Sequence, residues 1–163
     1  MKNRSICLLL ILAVFSISCK ENKEAQRVEH SDHSVSKIIV ERGAFHNDTF
    51  VLQDSIVEFV PSDNAIIEEF PQYTVASQTR ISQKEHDMLF KQIIDKGFFE
   101  LRDAYKSPTS DNSFLKVTVD YKGRKKSVQS EDFKRNCPEV LKFIENEIVR
   151  LHGKNLKRQL LPG

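Results

Sequence analysis

The chain has 163 residues, 39% of them hydrophobic and 29% charged, with 25 Lys and Arg against 23 Asp and Glu and a formal net charge of +2 at pH 7. This near balance excludes a nucleic-acid binder that relies on bulk positive charge. Three cysteines do not form the even framework of a small disulfide-held domain, so an ordinary hydrophobic core has to hold the fold.

The first element is an export signal. A basic start with Lys2 and Arg4 precedes an apolar run over residues 6–17, and small residues follow it. That order describes a secretory signal peptide. The apolar run is too short for a spanning helix, which needs about 20 residues. Phe15-Ser16-Ile17-Ser18-Cys19 resembles the lipobox of bacterial lipoproteins. It departs from the usual pattern at Ser16, where Leu is preferred, and at Ser18, where Gly or Ala is preferred. The resemblance implies that residues 1–18 are removed and that Cys19 is the lipid attachment site, its thiol diacylated in the palmitate-type manner. Two or more acyl chains on one cysteine anchor stably, whereas one binds only marginally. Ser16-Ile17-Ser18 also fits an ordinary signal-peptidase site, which would release the protein with Cys19 at its N-terminus. Lys20 follows the cysteine, where Gram-negative lipoproteins kept in the inner membrane tend to carry aspartate, so the resemblance implies the outer membrane, on its periplasmic or cell-surface face.

Residues 19–35 form the lipidated cysteine and a charged, polar stretch. Such a segment cannot bury enough apolar surface to offset its ordering entropy, and it reads as a flexible tether with a reach of about 20 to 24 Å. His30 and His33 with Asp32 have the spacing of a weak metal pair, but a structural zinc site needs four ligands. No metal or other cofactor is expected.

A single α+β domain is expected over residues 36–153. Short β-prone runs at residues 49–53 and 56–60 flank Asp54-Ser55 and predict a hairpin. An extended stretch over residues 73–80 leads into Ser82-Gln83-Lys84-Glu85, a capping-box sequence. The helix that follows places His86, Leu89, Phe90, Ile93 and Ile94 on one face and ends at Gly97. The second half repeats the order. Residues 114–121 alternate, with Leu115, Val117, Val119 and Tyr121 on one side. Lys122-Gly123 makes the turn, and residues 124–130 return as a more polar strand near an edge. Pro138 suits the first position of a second helix, whose stripe is Val140, Leu141, Ile144, Ile148 and Leu151 and whose end is Gly153. The fold class is therefore an antiparallel sheet with two helices packed on one face, a hairpin-helix plan used twice. Residues 154–163 read as a basic C-terminal tail.

Three features are candidates for function. Cys137 precedes Pro138 at a helix N-terminus near Lys134 and Arg135, which is the setting of a reactive thiol; its place on the apolar stripe equally fits a buried, inert one. His86 lies on the apolar face of the first helix, without a recognisable nucleophile partner. Lys122, Arg124, Lys125 and Lys126 cluster at one hairpin as a candidate basic patch for an anionic glycan, lipid head group or envelope protein, or simply as edge protection. Charge divides along the chain: residues 20–100 carry nine Lys and Arg against fifteen Asp and Glu, and residues 101–163 carry fourteen against eight. The exported chain thus has no basic excess, and no nucleic-acid partner is expected.

No Gly-rich phosphate loop, GxSxG, HExxH or paired-cysteine motif is present. Phe98-Phe99-Glu100-Leu101, Ser110-Asp111, the second hairpin and Cys137-Pro138, in that order, are similar to small uncharacterised lipoprotein domains; the resemblance implies no activity. The expectation is a lipid-anchored envelope protein with a non-catalytic interaction or ligand-binding module. The alternative, an envelope enzyme, requires a cleft where His86, Cys137 or Asp111 converge.

Overall fold

The computed structural model describes residues 35–43, 47–62, 71–108 and 113–159, all within the unit His33–Gly163. The expected signal peptide and lipid site at Cys19, the His30/His33 pair and Asp111 lie outside the described residues.

The protein is α+β, with seven strands and two helices among the described residues. In chain order the strands are β1 (Lys37–Arg42), β2 (Asp48–Gln53), β3 (Ile56–Pro61), β4 (Ser77–Arg80), β5 (Ala104–Tyr105), β6 (Leu115–Tyr121) and β7 (Arg124–Ser130). Helix α1 (Gln83–Asp95) follows β4, and α2 (Glu139–His152) follows β7. The sheet order is β4-β3-β2-β1-β6-β7-β5. Every neighbouring pair is antiparallel except β5 with β7, which is parallel.

The sheet is larger than the two expected hairpins. Strand β1, not among the elements expected from sequence, is its centre, pairing with β2 on one side and β6 on the other. Its Ile38-Ile39-Val40 run is short and lies between charged residues, and it becomes a strand because both neighbours are supplied from far along the chain. Period-2 alternation then aligns one buried face: Ile38 and Val40, Phe50 and Leu52, Val57 and Phe59, Leu115, Val117, Val119 and Val128 are all buried. Fully burying such a side chain contributes about 1.5–3 kcal/mol.

Local chemistry sets the connections. At the second hairpin, Lys122 and Gly123 both have positive φ, 49° and 75°, as a two-residue type I′ turn demands. Helix α1 opens on the capping box: Ser82 Oγ accepts from the Glu85 amide at 3.2 Å, and Glu85 Oε2 accepts from the Ser82 amide at 2.9 Å. The bond from the Ser82 amide, joined by one from the Ser82 hydroxyl at 2.7 Å, holds the Glu85 carboxyl below its usual range. Gly97 ends the helix with φ 75°. Of the expected stripe, His86, Leu89, Phe90 and Ile93 are buried, while Ile94 is exposed. Phe90 stacks on Tyr121 at the tip of the β6–β7 hairpin, ring centroids 4.3 Å apart. Helix α2 begins at Glu139, with Pro138 as its cap, one residue later than expected. His152 at its far end stands edge-on to Phe50 of β2, and its carbonyl accepts from Thr79 of β4 at 2.7 Å. No helix among the described residues is long and apolar enough to cross a membrane.

The domain does not stop at Gly153. Leu156 is fully buried in the core, and the chain around it is pinned by a buried ionic network. Arg42 bonds Asp48 through two nitrogens, both at 2.6 Å, and reaches Glu145 at 3.3 Å and the Leu156 carbonyl at 3.0 Å. Arg158 grips both oxygens of Glu145 at 3.1 Å and donates to the carbonyls of Gly43 and Phe114. Within the expected basic tail the Arg158 side chain is 5% exposed and paired, because a guanidinium can satisfy a carboxylate and two carbonyls at once.

Candidate functional site

The described surface is concave around the tip of the β6–β7 hairpin. Helical spacing puts Asp87, Lys91, Ile94 and Asp95 of α1 on one side, and they face Tyr121, Lys122 and Arg124 of the hairpin across a cleft of about 300 Å³. A 3₁₀ turn, Phe98–Glu100, supplies Phe99 to this cleft and to a second hollow of about 620 Å³ along β7, bounded by Asp103 and by Arg124, Lys125, Lys126 and Ser127. The Arg124 guanidinium lies over the Phe99 ring, 4.0 Å from its centroid, and borders both hollows. Stacking on an aromatic face is a favoured arrangement for guanidinium.

Charge in this region is mixed. Hydrogen bonds from His86 and Gln83 hold the Asp87 carboxyl below its usual range. Lys91 pairs with Asp95 one turn on, Arg124 lies 3.5 Å from Glu100, and Lys126 lies 2.9 Å from Asp103. Lys122 stands over the Tyr121 ring, 5.2 Å from its centroid. The site can therefore hold an aromatic or apolar group against Phe99 and Tyr121 while offering cations at its rim.

The cations expected as one patch are divided between the turn and the two faces of β7. Strand alternation sends Arg124 and Lys126 to the sheet face that carries the buried Val128 and Ser130, and sends Lys125 to the opposite face. The 3₁₀ turn and the segment after it then set acids beside Arg124 and Lys126. Sequence clustering could not show this, because Glu100 and Asp103 approach only through the parallel pairing of β5 with β7.

Cys137 and His86 are both buried and do not meet. Burial pushes the Cys137 thiol up to about 11, against weaker lowering by a bond with Ser130, so the thiolate needed for a nucleophile is scarce at neutral pH. His86 has both ring nitrogens engaged, Nε2 with Ser36 Oγ at 2.9 Å and Nδ1 with Asp87 Oδ1 at 2.9 Å. Its ring contacts Phe90, which stacks on Tyr121 at the hairpin tip. Cys137 lies beside Ser130 at the opposite end of the same hairpin, which at about 3.4 Å per residue is roughly 20 Å away. No group of His, Cys, Asp and Glu among the described residues could hold a metal ion.

The polar face of α1 and the role of Phe99 at a surface were not read from sequence. The signal available was the Lys91/Asp95 pairing at i,i+4, which marks an exposed helix face but not what it looks onto. In comparisons with known proteins, no protein-family model, no curated protein and no solved structure matches this chain.

Proposed function

We propose that this chain is a lipid-anchored protein of the Gram-negative envelope, attached through Cys19 to the outer membrane, whose domain is a non-catalytic module for binding another protein. In this reading α1 and α2 share the buried face of the sheet, and the hairpin tip with its hollows lies at the end of the domain where β1 begins, Lys37 standing opposite Asp120. The observation that carries the binding role is the pair of hollows joined at the Phe99–Arg124 stack, with an aromatic floor and a charged rim. Aromatic and Arg side chains are the groups that dominate protein interfaces. The burial of Cys137 and the engagement of both nitrogens of His86 speak for binding over catalysis. The anchor rests on the lipobox resemblance of residues 15–19.

Two measurements test this reading. Cys19→Ala should move the protein from the membrane to the soluble fraction of lysed cells; retention in the membrane pool would overturn the anchor. A photo-crosslinking residue at Lys122 in intact cells should yield a discrete protein adduct that is absent when the same residue replaces Lys154. Absence of an adduct at Lys122 would overturn the module.

A further inference from the structure

We infer that the outer edge of β7 is a strand-addition site for an extended acidic segment of the partner, which deepens the proposed binding role and rests on it. The β6–β7 register pairs Tyr121 with Arg124, Val119 with Lys126 and Val117 with Val128. A two-residue hairpin makes the first of these a hydrogen-bonded pair, and such pairs recur at every second residue. The amides and carbonyls of Arg124, Lys126 and Val128 therefore face β6, and those of Lys125, Ser127 and Gln129 face outward. The Gln129 amide does so visibly, donating to the Asp103 carbonyl at 2.9 Å. Strand β5 covers only Gln129 and Ser130. Among the described residues no strand lies beside Lys125 and Ser127, which leaves two outward amides and two outward carbonyls.

The hollow of about 620 Å³ runs along this uncovered length, with Phe99 and Asp103 as its far wall. The chain before β5 does not continue as a strand. It turns away at Phe98–Glu100 and leaves empty the line that a longer β5 would occupy. An incoming strand on that line would pair with the open groups of β7, and every second side chain would reach the Phe99 side of the sheet.

Charge selects the occupant. Lys125 has no ion-pair partner among the described residues, and Arg124 is half-exposed with its acid 3.5 Å away. A second copy of this chain, pairing edge to edge, would set Arg124, Lys125 and Lys126 against the same three cations, and like charges directly opposite destabilise strand pairs. A segment alternating Asp or Glu with apolar residues sets its acids on the face of Lys125, the cation without an ion-pair partner among the described residues, and its apolar side chains on the face of Phe99.

The test uses a fluorescent, end-capped heptapeptide alternating Glu with Val and Phe, read by anisotropy against the purified domain. The acidic peptide should bind, and its Lys-for-Glu counterpart should not. Ser127→Pro removes one outward amide at an edge position that tolerates proline, and it should weaken binding about tenfold or more. If Ser127→Pro does not fold, an acidic peptide N-methylated at alternate amides carries the same test against the unaltered protein. One methylation register should abolish binding while the other retains it. Equal binding of both registers, or of acidic and basic peptides, would overturn strand addition. So would capture of the domain by phosphatidylglycerol vesicles without peptide binding. A crosslink from Lys122 that persists in cells alongside such a result would leave the binding module standing and remove only the strand-addition mode; loss of both would remove the module as well.

Discussion

Replacing Arg42 with Met probes the buried ionic network directly. The guanidinium is 1% exposed, makes four hydrogen bonds to Asp48, Glu145 and the Leu156 carbonyl, and lies over the Phe50 ring. Met has similar length and restores most of the packing, so the loss is mainly electrostatic. Asp48, 5% exposed, loses both bonds from the fork, and Glu145 keeps only its bonds from Arg158. Removing one member of a buried ion pair costs about 3–5 kcal/mol, which for a domain of this size corresponds to roughly 10–20 °C in Tm. Urea unfolding followed by far-ultraviolet circular dichroism at pH 7 measures it. Arg42→Lys should fall between the two, since an ammonium keeps the charge but not the bidentate geometry. The double variant Arg42→Met/Asp48→Leu should recover much of the loss, because exchanging a whole buried pair for apolar groups is often close to neutral. A loss below about 1 kcal/mol for Arg42→Met, or a double variant less stable than the single one, would refute the argument that removing the guanidinium from the buried network sets the cost.

Three further predictions follow from the same core. Truncation after Gly153 removes the buried Leu156 and the Arg158 clamp on Glu145 and should lower stability by at least about 3 kcal/mol; a truncated domain with an unchanged urea midpoint would show that the C-terminal segment is dispensable. Cys137 should resist iodoacetamide at pH 7 until the protein unfolds, because a thiol pKa of about 11 leaves only about one thiolate in ten thousand; rapid modification of the native protein would contradict its burial. His152 is held below its usual pKa, chiefly by burial, against a raising bond with the Ser77 carbonyl, and its Nδ1 is buried with no hydrogen-bond partner. The unfolded chain binds the proton more readily, so stability is full above the unfolded value near 6.5 and falls as pH drops below it. His152→Phe should flatten that dependence between pH 7 and 5 in urea titrations, and an unchanged slope would exclude His152 as its source.

Local chemistry in this chain was legible where neighbours in sequence are also neighbours in space. The capping box at Ser82 and Glu85, the left-handed Gly97 and Gly153, and the Lys122-Gly123 turn each depend on a few consecutive residues, and each forms as their spacing predicts. The alternation over residues 115–121 likewise identifies its own buried side, because a strand has only two faces. Strand β1 was not legible. Its six residues are short and flanked by charge, and its place at the sheet centre depends on β6, whose Val117 and Val119 stand opposite Val40 and Ile38. The site was legible only as parts. The basic run at residues 122–126 reads as one patch, and nothing in the sequence sets Phe99 beside it.

What the sequence determined by itself is the α+β class, the helix caps and the hairpin turns, which rest on residues close together in the chain. Tertiary structure alone decided that Arg42, Asp48, Glu145 and Arg158 form one buried network, that Glu100 and Asp103 stand beside Arg124 and Lys126, and that among the described residues no strand covers Lys125 and Ser127. Each of these requires residues far apart in the chain to be brought within a few ångströms, and residue spacing along the chain does not encode which distant partners will meet.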